Sequence, residues 1–132
     1  MDHISNCFSA IFNGLRASLN YTDIMQSKQL IPILALLYKD GFISGFETRL
    51  GEFSEIPYLR IFFGPRINAI RARFRRVSKP SLRIYKKFAQ LVRESKNGDY
   101  LILSTTAGIK SLDQVLCLCI GGEVIGRRIV AM

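Results

Sequence analysis

Residues 71–87 read RARFRRVSKPSLRIYKK and hold eight cations, Arg71, Arg73, Arg75, Arg76, Lys79, Arg83, Lys86 and Lys87, and no acid. Charge at that density, with nothing in the run to pair it, does not enter a hydrophobic core. The middle of the chain is therefore surface, and the apolar sequence on either side closes around two small cores. Pro80 breaks regular structure within the run, and Val77–Ser81 reads as a hinge. Phe74, Val77, Leu82, Ile84 and Tyr85 are threaded among the cations; they anchor the segment to folded bodies and hold its charges in register. The chain has 132 residues, 48% of them hydrophobic, enough for two small domains but not two large ones. The expected division is 1–76 and 77–132.

The net charge of +9 belongs to this region. Residues 1–57 carry four Lys/Arg and six Asp/Glu, residues 58–98 twelve and one, and residues 99–132 three and three. A patch of this strength points to a polyanion: RNA, DNA or an anionic membrane surface. Arginine forks onto phosphate oxygens and stacks on bases, and Tyr85 and Phe74 add aromatic faces. A membrane-lying helix needs a continuous apolar face, which Pro80 interrupts. No stretch approaches the ~18–20 apolar residues of a membrane span. The N-terminal MDHISNCF resembles neither a secretion leader nor a transit peptide, so the expectation is either that nothing was removed or that the chain is made in the compartment where it works. Nucleic acid is the expected partner, with no membrane and no small-molecule substrate.

Nothing suggests catalysis. The ten acids are scattered, and the one histidine, His3, lies near the N-terminal end. Cys7, Cys117 and Cys119 form no even-numbered framework, which fits a reducing compartment. The Cys-x-Cys pair lies in the apolar run VLCLCI and reads as buried thiols rather than a metal site. No catalytic residue, metal or cofactor is expected.

Periodicity supplies the elements. Asp2 is a candidate N-cap for a helix whose apolar face is Ile4, Phe8, Ile11, Phe12, Leu15 and Leu19, with Ser5, Ser9, Asn13 and Arg16 opposite. Ser27 caps a second helix through Leu30, Ile33, Leu34, Leu37 and Tyr38. Pro32 sits inside it and either kinks the first turn or delays the start to about residue 31, and Gly41 ends it. Strands are expected over Phe42–Leu50, Tyr58–Phe63 and Ile67–Phe74, with a turn at Gly64-Pro65. After the hinge, Leu82, Ile84 and Phe88 suggest an extended stretch, KNGD (96–99) a turn, and Tyr100–Leu103 a buried strand. A hydroxyl-rich loop follows, Ser104, Thr105, Thr106, Ala107 and Gly108. Ser111 with Gln114 then has capping-box spacing for a helix over Leu112–Cys119. Gly121-Gly122 ends that helix, and Glu123–Val130 returns as a strand. The fold class is α/β: an N-terminal helix–strand–helix domain with a short antiparallel sheet, and a C-terminal domain mostly of strands with one short helix. Hydroxyls beside a glycine can donate to phosphates or to ribose 2′-OH groups; the same residues also serve as a plain tight turn. The loop is not a P-loop, since Ile109 follows Gly108 and Leu103 occupies the first glycine position.

Arg76-Val77-Ser78-Lys79-Pro80-Ser81-Leu82-Arg83-Ile84-Tyr85 resembles the hinge of the universal small-subunit ribosomal protein eight family, approximately R-V-S-[RK]-P-G-x-R-x-Y. Ser104, Thr105, Thr106 and Gly108 resemble its hydroxyl loop, and Gly121-Gly122-Glu123 its G-G-E. Asp2, Ile4, Asn13, Ser27, Lys28, Gly41, Phe42 and Ile43 fall at further motif positions. The resemblance covers nearly the whole chain. It implies a two-domain protein that binds the central domain of small-subunit ribosomal RNA, assists its assembly and neighbours other small-subunit proteins. Carried over, Ser104, Thr105, Thr106 and Gly108 contact RNA, supported by Tyr85, Lys86 and Glu123. The cations Arg73, Arg76, Lys79, Arg83 and Lys28 serve phosphates. A free-standing RNA chaperone or regulator would use the same surface, and an RNA-processing enzyme is the reading from another class. The sequence departs from the family at Ala10 and Phe12, where first-helix cations are usual, and at Ser81, where glycine is usual and a positive φ would be strained. It departs again in the apolar run DQVLCLCI, whose residues Val115–Ile120 are expected to face another protein, and in an end, Arg127–Met132, past the family's usual terminus. That drift resembles an organellar ribosome, so the expected location is a ribosome of the mitochondrial matrix, with the bacterial cytoplasm as the alternative.

Overall fold

The computed structural model of the chain describes residues 3–51, 57–64, 73–79, 81–97 and 100–128. They form two compact α/β units that divide between Arg73 and Phe74.

In the first unit, α1 (His3–Arg16) buries Ile4, Cys7, Phe8, Ile11 and Gly14, the spacing of one helical face. Ser9, Asn13 and Arg16 lie on the exposed side, as the sequence predicts. A Cβ on Gly14 would stand 2.5 Å from the Phe63 ring, so only glycine lets that ring close on the helix. Leu19 does not join the buried face; it is 50% exposed. The helix has already ended, with Ser18 at a left-handed φ of 58° and the Leu19 N–H donating to the Gly14 carbonyl at 2.9 Å. Asp2 lies outside the described residues.

Strand β1 (Tyr21–Met25) leads to α2 (Leu30–Lys39). Pro32 is the third residue of α2, where a missing N–H costs no intrahelical bond. Ser27 does not cap the helix itself; its hydroxyl accepts only a long bond, 3.4 Å, from the Gln29 N–H in the entry turn. The exit is a Schellman closure: the Gly41 N–H reaches the Tyr38 carbonyl, the Phe42 N–H reaches that of Leu37, and Gly41 supplies φ +83°. Phe42 is used in this closure and Ile43 enters the core. The following strand, β2 (Gly45–Leu50), therefore starts later than the apolar run suggests. With β3 (Pro57–Phe62) the strands form an antiparallel sheet in the order β1-β3-β2. Asp23 and Glu47 oppose Arg60 on β3. Period-two alternation sends Leu59 and Ile61, both 0% exposed, to the core. Arg60 lies on the other face, bonded to Asp23 at 2.8 and 3.1 Å and 4.1 Å from the Tyr21 ring centre.

The second unit opens with β4 (Phe74–Arg76). Of the strand expected over Ile67–Phe74, residues 67–72 lie outside the described residues, as do Pro65 and Pro80. Next come β5 (Tyr85–Lys86), α3 (Phe88–Ser95), β6 (Leu101–Thr105), β7 (Gly108–Ser111), α4 (Leu112–Leu118) and β8 (Gly122–Arg128). The sheet runs β4-β8-β6-β7, with β5 paired to β8 beyond β4. Leu91, Leu101, Leu103, Leu112, Val115 and Val124 form the core, with Val77, Leu116 and Ile120 packed against it.

Several expectations change here. Phe88 does not extend the chain but opens α3, whose start is fixed by the Gln90 side chain accepting the Lys87 N–H at 3.0 Å. The expected hydroxyl loop is a hairpin: Ser104 and Thr105 end β6, and Gly108 begins β7. Helix α4 follows the capping-box expectation, with the Gln114 side chain accepting the Ser111 N–H at 3.0 Å. It closes on Cys119 in a left-handed conformation. Cys117 and Cys119 are exposed, not buried. Val115 turns inward instead, so the outward part of the apolar run is Cys117, Leu118 and Cys119. Ser81 is not among the residues with positive φ, so serine fits there without strain. Residues 98–99 and 129–132 lie outside the described residues.

Candidate nucleic-acid interface

From Phe74 onward the described residues of the basic run are held within the second unit by their backbone. The Val77 and Ser78 N–H groups donate to the carbonyls of Ile125 and Val124 at 2.8 and 3.1 Å, which continues the β4 ladder along β8. Ser78 is 2% exposed. Its hydroxyl accepts the Ile84 N–H at 2.9 Å and faces the Ile84 carbonyl at 3.3 Å, standing in for a missing strand. Lys79 and Leu82 exchange backbone bonds at 2.8 and 3.0 Å. Lys79 and Leu82 are thus tied to each other, and β5 is returned to β8, where the Val124 N–H donates to the Ile84 carbonyl at 2.9 Å.

That return aligns residues distant in sequence. On β8, Glu123 is opposed by Tyr85 of β5 on one side and Ser104 of β6 on the other. Directly opposed residues share a sheet face, so Tyr85, Glu123 and Ser104 form one row. Tyr85 is 67% exposed. The Arg83 guanidinium joins the row by donating to both Glu123 oxygens, at 3.1 and 3.4 Å.

The glycine pair makes this spacing available. A Cβ on Gly122 would stand 2.6 Å from the Ser104 carbonyl, and one on Gly121 2.5 Å from the Lys86 carbonyl. The two glycines are where the backbones of β5 and β6 close on β8. At the hairpin tip, Thr105 Oγ1 donates to the Gly108 carbonyl at 2.8 Å and accepts the Ala107 N–H at 3.1 Å. Gly108 has φ +104°. The hydroxyls of Ser104 and Thr106 make no hydrogen bond to the described residues, and Thr106 is exposed. Thr105 builds the turn; Ser104 and Thr106 are presented by it.

The remaining candidates sort differently. Lys86, on the opposite sheet face from Tyr85, pairs with Glu94 of α3. Arg76 donates to the Ser78 carbonyl. Lys79 is exposed. Arg73 and Lys28 belong to the first unit. Lys28 is exposed ahead of α2, and the Arg73 guanidinium lies 4.9 Å over the Phe12 ring. A cation therefore stands on α1 at Phe12, supplied by the basic run rather than by the helix. Sequence reasoning gives Ser78 only a place in the hinge and Gly121-Gly122 only the end of a helix, and it assigns no part to Glu94. Ser78 and the glycines sit inside recognised motifs. Glu94, the one acid between 58 and 98, was the signal for a partner to a neighbouring lysine. Among the described residues no group of three His, Cys, Asp or Glu side chains gathers as a metal site.

The chain as a whole is similar to known proteins. The family model described as Ribosomal protein S8 matches residues 2–127. The small ribosomal subunit protein uS8 of Saccharopolyspora erythraea is 31% identical over 124 residues, covering 94% of each chain. That of Thermus thermophilus is 32% identical, covering 94% of this chain and 95% of its own. That of Dichelobacter nodosus is 32% identical, covering 95% of both.

Proposed function

The chain belongs to the ribosomal protein S8 family, and on that premise we propose that it binds the central domain of small-subunit ribosomal RNA and supports its assembly. The family is structural, not enzymatic, and its relatives are constituents of the small ribosomal subunit. The observation that supports the RNA reading best is the row Tyr85–Glu123–Ser104 beside a hairpin whose Thr106 hydroxyl faces solvent. An aromatic face, hydroxyl donors and a carboxylate acceptor in fixed register suit an irregular RNA helix, read by its 2′-OH groups and splayed bases. Ser104, Thr106 and Tyr85 are the contacts; Thr105 and Gly108 hold the turn that presents them. Arg75 and Lys79 on the second unit, and Lys28 and Arg73 on the first, supply phosphate contacts that carry affinity without sequence information, while Arg76, donating to the Ser78 carbonyl, braces the hinge. Lys86, paired with Glu94, orders β5 against α3. Other small-subunit proteins are the remaining partners. The relatives are bacterial, which supports a ribosome in the bacterial cytoplasm and lends the mitochondrial reading nothing.

The test is binding to a central-domain rRNA helix and to a scrambled helix of equal length, across a salt series. Preference for the native helix that persists at high salt is the expected result. Equal binding to both, vanishing together as salt rises, would favour a free-standing RNA chaperone that uses only the basic surface.

A further inference from the structure

In the most basic stretch of the chain two cations are held by acids from elsewhere in the same unit: Arg83 by Glu123 and Lys86 by Glu94. A surface built only to attract phosphate would leave both cations open. The geometry points to Glu123 as a positioning residue that withholds Arg83 from arbitrary phosphates and releases it only to an RNA of the right shape. This rests on the reading of the second unit as an RNA-binding surface.

The asymmetry of the pair carries the argument. The Arg83 side chain is 55% exposed and Glu123 only 14%. Glu123 lies in the sheet row between Tyr85 and Ser104, while Arg83, two residues before Tyr85, donates to it at 3.1 Å. A random duplex offers phosphates wherever it docks, but no donors placed to meet this row. If a phosphate takes Arg83, the Glu123 carboxylate is left without its partner, little exposed and beside a polyanion, which is unfavourable twice over. A matching RNA also brings donors, base amino groups or 2′-OH groups, to the row. Glu123 then exchanges one partner for another as Arg83 turns to a phosphate. The carboxylate thus removes a phosphate contact from every wrong RNA and restores it for the right one.

The test uses the full chain with Glu123→Gln, Arg83→Gln and the double variant, against a central-domain helix and a scrambled duplex. Glutamine keeps the size of the glutamate side chain and removes the charge. Glu123→Gln is expected to tighten scrambled-duplex binding several-fold at low salt and to steepen its log K against log salt slope by about one phosphate contact. The preference for the native helix should fall by at least the same factor. In the double variant the scrambled-duplex gain should vanish, because it acts through Arg83; a merely structural role for Glu123 would not give that reversal. Unchanged or weaker scrambled binding in Glu123→Gln overturns the inference, as does a gain that survives removal of Arg83. Loss of native-helix preference in the unaltered chain would instead sink the rRNA reading, since the effect on the scrambled duplex is read independently of it.

Discussion

Single atoms decide more in this chain than its composition suggests. Gly122 has the Ser104 carbonyl 2.6 Å and the Thr105 Cγ2 2.9 Å from where a Cβ would stand. The first obstacle is backbone, which cannot swing aside as a flexible side chain would. Gly122→Ala should therefore destabilise the chain by about 1–3 kcal/mol, read as a lower denaturant midpoint at unchanged slope. A midpoint equal to that of the parent would mean β6 and β8 do not close as described. The cysteines divide just as sharply. Cys7 is buried in α1 and burial pushes its thiol from 9.0 up to about 12, whereas Cys117 and Cys119 are exposed. A maleimide should label two thiols in the native chain and the third only on unfolding. The sign of the pH effect follows. A thiol held neutral in the fold and free to ionise in the unfolded chain stabilises the fold fully below pH ~9. That contribution is lost as pH rises toward ~12, at about 1.4 kcal/mol per pH unit. Cys7→Ala should flatten this alkaline loss; an identical alkaline profile would show that Cys7 is not where it titrates.

The hairpin β6–β7 shows why local sequence was readable in part. Ser104-Thr105-Thr106-Ala107-Gly108 marked a turn, because hydroxyls and a glycine are what a turn needs. What it left open was which hydroxyl serves the turn and which serves a ligand. That depends on strand register, and register depends on β8, nearly twenty residues on. The same limit explains α3: Phe88, Leu91 and Val92 are compatible with strand or helix, and the Gln90–Lys87 contact that starts the helix forms only once the chain has turned. The Cys-x-Cys run misled for a related reason. Only Val115 and Leu116 of the run pack inward on the helix; Cys117 and Leu118 turn outward, and Cys119 is exposed as the left-handed cap that ends it. Long periodic stretches such as α1 and α2 needed no such partner and form where the spacing predicts, although α1 stops at Arg16, short of Leu19, and Ser27 does not cap α2. The division within the hairpin is testable. Thr105→Val removes two hydrogen bonds of the turn and should cost about 1–2 kcal/mol of stability. Ser104→Ala with Thr106→Ala should leave stability within about 0.5 kcal/mol and weaken native-helix binding by roughly 1–3 kcal/mol. The reverse pattern would exchange the roles assigned to these hydroxyls.

Taken across the chain, charge and shape are assigned to different residues. The twelve cations of residues 58–98 face one acid, while the first 57 residues carry two more acids than cations. Yet several cations in that stretch are committed within the fold: Arg60 to Asp23, Arg76 to the Ser78 carbonyl, Arg83 to Glu123 and Lys86 to Glu94. Arg75 and Lys79 are exposed, and neither side chain has a partner among the described residues. Lys87, Arg93 and Lys96 are exposed as well, and Arg75 and Lys79, nearest the hinge, should supply part of the general attraction to nucleic acid on the second unit. Replacing both with glutamine should weaken native and scrambled helices by the same factor and make the salt slope shallower by about 0.9 for each phosphate that is no longer neutralised. The ratio between the two RNAs should not move, since phosphate contacts carry no sequence information. Alanine at Ser104 and Thr106 should do the opposite, lowering the ratio at constant slope. A drop in the ratio on neutralising Arg75 and Lys79 would show that recognition runs through charge, and would remove the separation between the cations that set affinity and the hairpin that reads shape.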